Sequence, residues 1–330
     1  MAMLDVPVAL PTRRRALGLG AGTALALGAA SPLLAQAPGP PRQDEEPVEG
    51  FRLFENLLTR MAVEVGVGGG RKALFVIDTG AERTALSARL TQRIGLAPGP
   101  PVLIHGITAS ELAATAILPR LEVEDRSFSQ LVLPVFADDL IGADGLLGLD
   151  ILSQYRLTLD LRGRRVMIAP SGPDVIERGI AFGRASRIRN DVSRIHRGRF
   201  GQLFMTQLEV GGVPAVGFVD SGAQYSIANL ALMRAMDRQV PAASHGQVRV
   251  YGVTGQSLVA RTGSAPSLRV ARWNLGPTPL LFADLHAFSV LNLNHRPALL
   301  LGADIIGRFS RITLDYGRSE LRFGTLMHSS

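Results

Sequence analysis

Residues 75–87, FVIDTGAERTALS, and residues 217–229, GFVDSGAQYSIAN, decide how this chain is read. Each drives an apolar run into an aspartate, follows it with a small hydroxyl residue and a glycine, and then offers a helix start. A carboxylate at the buried end of a strand costs free energy unless the protein uses it. That the arrangement occurs twice, with Asp78 and Asp220 142 residues apart, points to one function built from two halves.

Outward from these stretches the two halves repeat feature by feature in the same order. A hairpin precedes each aspartate, EVGVGGGRKALFVID in the first half and EVGGVPAVGFVD in the second, the first with the longer turn. Nine residues beyond each aspartate stands a helix N-cap candidate, Ser87 before ARLTQRI and Asn229 before LALMRAM. Then come LIHGITAS and RVYGVTGQ around Gly106 and Gly252, and VFADD and LFADL around Asp138 and Asp284. GLLGLDIL and LLLGADII follow around Gly148 and Gly302, and the closing strands RLTLDLRGRRVMI and RITLDYGRSELRF carry Asp160 and Asp315. The sequence therefore reads as a tandem duplication of a small β unit, with the length differences in loops.

Composition supports a mainly β body. Hydrophobic residues make up 46% and charged residues 19%, with 36 glycines and 20 prolines punctuating short β-branched and aromatic runs. The absence of cysteine excludes disulfides, thiolate nucleophiles and Cys-based zinc sites. The six histidines, His105, His196, His245, His286, His295 and His328, are scattered without metal-ligand spacing, so neither a metal nor a cofactor is expected. The formal charge is +7; removal of the N-terminal Asp5, Arg13, Arg14 and Arg15 takes away +2 and leaves +5. Without aromatic residues interleaved on a basic face, this excess does not describe a nucleic-acid binder. The glycine cluster GVGGGRK at 66–72 lacks both P-loop and dinucleotide-binding spacing and reads as a hairpin turn.

The N-terminus is a targeting segment. Thr12-Arg13-Arg14-Arg15-Ala16-Leu17 precedes an Ala/Gly/Leu-rich stretch to Leu34 and a small-x-small site, Ala35-Gln36-Ala37, the pattern of a twin-arginine export signal over 1–37. Cleaved, it delivers a periplasmic or secreted protein; uncleaved, it is a membrane anchor, the one route to membrane association. Residues 38–50 form a proline-rich acidic spacer, 51–170 and 201–326 are the two lobes, and the arginine-rich 171–200 connects them.

With DTGA and DSGA at equivalent places, a glycine-bearing hairpin after each, and an apolar-apolar-glycine run before a short helix in each half, the chain resembles the retropepsin-like and pepsin-like aspartic proteases. The likeness is to exported bacterial forms with both lobes in one polypeptide. It implies an all-β fold of two pseudo-twofold-related lobes, each a small closed barrel with a short helix, and an endopeptidase acting on peptides or proteins. Asp78 and Asp220 would be the catalytic pair, with Thr79 and Ser221 bonding across to the opposite loop and Gly80 and Gly222 letting backbone N–H groups reach the carboxylates. Ala81 and Ala223 would floor the cleft. Two hairpins, His105-Gly106-Ile107-Thr108 and Tyr251-Gly252-Val253-Thr254, would close as flaps over an extended peptide. The pepsin-like pattern carries Tyr-Gly in the first flap, whereas here it stands in the second, which leaves the roles of the two hairpins open. A chain holding both aspartates has no need to dimerise, and a monomer is expected. A peptide- or envelope-binding protein on the same fold is the alternative reading.

Overall fold

The computed structural model describes residues 50–52, 61–106, 108–171, 192–197, 202–237, 246–252 and 255–327. The export segment 1–37, nearly all of the 38–50 spacer, most of the 171–200 connection, and Ile107, Val253 and Thr254 of the hairpins lie outside these residues.

In the first lobe, Ala62–Val67 and Arg71–Ile77 pair antiparallel across Gly68, Gly69 and Gly70, all at positive φ (37°, 77° and 81°), a turn that side-chain-bearing residues resist. The ring continues through Gly145–Leu147, Ala85–Ser87, Arg126–Phe136 and Ser110–Val123, and closes where Val67 pairs with Leu121. These six strands form a closed barrel. Their alternating pattern, as in the buried Ala73, Phe75 and Ile77, turns one face of each strand into its core. Ala97–His105 pairs outside the ring with Ser110–Val123.

The second lobe repeats the circuit with Leu203–Val210, Val213–Val219, Ala298–Leu301, Ile227–Ala228, Thr278–Phe282 and Ser257–Ala265. Closure here falls to a separate short strand, Leu268–Val270, which pairs with Leu203–Val210. Pro266 explains the break, since it has no N–H to give to a ladder. The hairpin strand Gly246–Tyr251 lies outside this ring, as Ala97–His105 does in the first.

The lobes are joined by one continuous sheet. Tyr155–Asp160, which also pairs with Arg165–Pro170, runs antiparallel to Ile312–Asp315, with Leu157 opposite Leu314 and Thr158 opposite Thr313. The facing hydroxyls of Thr158 and Thr313, equivalent residues of the two copies, lie 3.5 Å apart, so the pseudo-twofold axis passes between them. Asp160 and Asp315 each close the turn after their strand, accepting the N–H of Gly163 (2.9 Å) and Arg318 (3.1 Å). One apolar core, including Leu157, Leu159, Ile312, Leu314, Phe309 and Phe323, runs through both lobes.

The arginine-rich connection is more than a loop. Val192–Arg197 is a strand pairing with Glu320–Phe323 on one side and Leu203–Val210 on the other. Its arginine density reads as a solvated link, but two open strand edges need a ladder partner.

Because Leu314 is buried at the joint of the two lobes, Leu314→Ala should cost about 2–5 kcal/mol. Urea denaturation followed by fluorescence and circular dichroism should show a single transition moving to lower denaturant, without separate melting of one lobe.

Candidate active site

The strand Arg71–Ile77 ends at Asp78 and the strand Val213–Val219 ends at Asp220. After each, the chain turns back so that two N–H groups converge on one carboxylate oxygen. Asp78 Oδ1 accepts from Gly80 and Ala81, both at 2.9 Å; Asp220 Oδ1 accepts from Gly222 at 2.9 Å and Ala223 at 3.1 Å. The two turns face each other. A Cβ placed on Gly80 would lie 2.3 Å from the Asp220 carboxyl carbon, and one on Gly222 would lie 2.7 Å from that of Asp78. Each glycine is therefore required by the opposite aspartate as well as by its own turn.

Under the carboxylates the hydroxyls interlock. Thr79 Oγ1 donates to the Val219 carbonyl (2.9 Å) and Ser221 Oγ donates to the Ile77 carbonyl (2.8 Å). In return Ser221 N–H donates to Thr79 Oγ1 (2.9 Å) and Thr79 N–H donates to Ser221 Oγ (3.1 Å). Thr79 and Ser221 are 2% and 1% exposed, so these four bonds have no competing water.

Burial pushes the pKa of both carboxyls up, against the pull of the N–H groups. For Asp220 the negative charge of Asp78 adds to the effect and carries it to about 8. At neutral pH the site therefore retains a proton. Tyr316, fully buried, has its phenol pushed up by burial and by the charges of both aspartates, and stays neutral.

A second pair of aspartates, Asp150 and Asp304, supports the turns. Thr84 Oγ1 donates to Asp150 Oδ1 (2.7 Å) and accepts from Gly148 N–H (3.0 Å); Ser226 Oγ donates to Asp304 Oδ1 (2.6 Å) and accepts from Gly302 N–H (2.9 Å). These bonds tie each turn to the apolar-apolar-glycine run of its own lobe. The signal was present in sequence, since Thr84 and Ser226 each stand six residues past the turn aspartate. The helix caps are as expected: Ser87 Oγ accepts from Leu90 N–H (3.1 Å) and Asn229 Oδ1 from Leu232 N–H (2.8 Å).

Above the aspartates lies a cleft. Asp78, Gly80, Asp220 and Gly222 line its floor, Ala81 one side, and Leu103, Ile104, His105 and Gly106 of the first hairpin its roof. Tyr251 and Gly252 of the second hairpin do not line this cleft: Tyr251 pairs with Ser257 within its own hairpin, and Gly252 meets the first hairpin. A Cβ on Gly252 would meet Thr108 Oγ1 at 2.7 Å, and Gln256 Nε2 donates to Glu111 Oε2 at 3.3 Å. Ala223, expected in the floor, is fully buried in the second-lobe core. His105 and His286, remote in sequence, meet with Nδ1 and Nε2 3.1 Å apart, tying the first hairpin to the second lobe. Burial and the neighbouring His105 lower the pKa of His286, which favours its neutral form. Among the described residues no group of three or more His, Asp or Glu side chains could hold a metal ion.

Thr79→Val should cost about 1–3 kcal/mol because the buried Ser221 N–H and Val219 carbonyl lose their partner, while Thr79→Ser should restore most of the melting temperature. The raised pKa also fixes a sign. The unfolded chain releases the Asp220 proton near 3.8, whereas the folded chain holds it to about 8, so the stability it contributes is full at acid pH and lost as pH rises through that window. Asp220→Asn should therefore raise the melting temperature at pH 7 and leave it nearly unchanged at pH 3, a comparison calorimetry can make directly.

Two family models match this chain in tandem: the gag-polyprotein aspartyl protease over residues 63–154, and the aspartyl protease over residues 206–305. No curated protein matches it. Each matched region contains one Asp-Thr/Ser-Gly turn of the shared cleft, and the chain belongs to the retropepsin-like aspartyl proteases, with two domains of that kind in one polypeptide.

Proposed function

We propose that this protein is an aspartic endopeptidase whose Asp78 and Asp220 form one catalytic dyad. The observation that carries the proposal is the crossed packing of each carboxyl against the other turn's glycine, at the floor of a single cleft. Two carboxyls so placed cannot both ionise comfortably, the behaviour for which the aspartic-protease dyad is the standing example. They share one proton and titrate as a pair.

In this reading a water molecule sits between the carboxyls. The ionised member takes a proton from it while the protonated member donates to the carbonyl oxygen of the scissile amide, and the water oxygen attacks the carbonyl carbon. The resulting tetrahedral diol collapses as the amide nitrogen accepts a proton and leaves as the amine. The water attacks directly, so no acyl-enzyme forms. The N–H groups at each Oδ1 and the interlocked hydroxyls hold both carboxyls in place without reorganisation. Leu103–Gly106 of the first hairpin form the lid over the peptide, and the His105–His286 contact would tether it. We further propose that residues 1–37 direct the enzyme out of the cytoplasm, that 51–170 and 201–326 are its lobes, and that one chain forms the complete site.

Wild type should cleave denatured protein or a peptide library along a bell-shaped pH profile, with loss on the alkaline side as the shared proton leaves, and statine-type peptides should inhibit it. Asp78→Asn and Asp220→Asn should each abolish nearly all turnover, and the double variant should be little worse than either, because the pair acts as a unit. Equal cleavage by wild type and both folded variants would overturn the assignment. Peptide binding by wild type without cleavage at any pH would favour the peptide-capturing alternative.

A further inference from the structure

The pseudo-twofold axis through the dyad implies two equivalent pockets, one beside each aspartate, but among the described residues only the first-lobe one opens onto the dyad. The apolar pocket of the second lobe, lined by Tyr225, Val248, Leu280 and Leu281, reaches neither aspartate. On the first-lobe side, Ala81 and Ile104 are half-buried and, with Leu103, Pro134, Phe136 and Leu146, form an apolar pocket continuous with the dyad.

The mirror positions follow from the strand registers. Leu146 pairs with Ala85 and Val76, as Leu300 pairs with Ile227 and Phe218. Ile104 and Val250 each precede their hairpin glycine by two residues, and Ala81 and Ala223 each follow their aspartate by three. Val250, Ala223 and Leu300 are all fully buried, in one cluster with Phe218 and Phe288. The aromatic residue Phe218 stands where the first lobe has Val76. It packs edge-on against Phe288 at 6.2 Å and Phe204 at 6.0 Å. Rings therefore occupy the volume that a second side-chain pocket would need.

Resting on the peptidase reading, we infer that the substrates are peptides carrying a bulky apolar residue on one side only of the scissile bond, the side facing the first lobe, with little selection for size on the other. Burial of that side chain in the open pocket supplies the selectivity. The filled pocket opposite offers no comparable burial and cannot discriminate by it.

The test combines cleavage-site mapping on a diverse peptide library with dissociation constants for statine-type peptides varied on each side in turn, using the full mature protein. Large apolar residues should be enriched about tenfold or more on one side of the cleaved bond and nearly unselected on the other. Ile104→Trp should fill the open pocket and shift that preference toward alanine-sized residues. Phe218→Val should open the second pocket and create a new apolar preference on the opposite side. Should Phe218→Val fail to fold, Ile104→Trp and the wild-type profile still decide. Strong apolar selection on both sides, or on neither, with normal cleavage would overturn the inference and leave the peptidase reading intact. One-sided binding preference without any cleavage would overturn the peptidase reading and keep the pocket assignment. Neither binding nor cleavage would overturn both.

Discussion

Two buried hydroxyls hold this molecule to one geometry. Thr79 and Ser221 each donate to the carbonyl at the end of the strand entering the opposite turn, and each accepts the other's backbone N–H. Every donor in this interlock sits below the floor of the cleft, out of water, so separating the turns would leave several buried polar groups unpaired at once. Much of the remaining architecture serves this contact. The barrels aim two strands at it, the Thr84–Asp150 and Ser226–Asp304 bonds brace the turns from behind, and the joining sheet holds the lobes on one axis. The carboxyls that meet above it are buried and forced together, and burial first, with their mutual repulsion added, keeps a proton on one of them.

Much of this was legible in the sequence because the duplication shows the same physical demand twice. A strand ending in Asp-Thr-Gly is an ordinary polar turn; two of them, each followed by a capped helix and an apolar-apolar-glycine run, are not. The turn aspartates, the hydroxyls, the glycines and the caps at Ser87 and Asn229 could all be named this way. What escaped were contacts between copies that have no repeat to announce them. His105 and His286 are 181 positions apart and not equivalent, so nothing in their spacing suggested a pair. The strand Val192–Arg197 was hidden by its arginines, which spoke for solvent while unpaired edges on both sides required a ladder partner.

The twofold equivalence of the lobes does not extend to the surroundings of Ala223. The duplication made Ala81 and Ala223 look like two halves of one floor, yet only Ala81 borders the cleft, and Ala223 lies under the rings of the second lobe. A homodimer would be bound to repeat each residue on both sides of its axis. A fused chain is not, and here the halves differ where a substrate would feel it: Val76 against Phe218, His105 against Tyr251, Glu82 and Arg83 against Gln224 and Tyr225. The dyad and its interlock stay symmetric because both lobes must serve one proton, while the walls of the cleft have been free to diverge.

A single proton shared by the two turns can be read without any substrate. Carbon-13 labelling of the aspartate carboxyls, with Asp78→Asn and Asp220→Asn to assign the signals, would follow each group by NMR from acid to alkaline pH. One proton should remain on the pair through neutral pH and leave only near 8, with both signals responding to that single event. Two independent titrations near the ordinary aspartate value of 3.8 would contradict it.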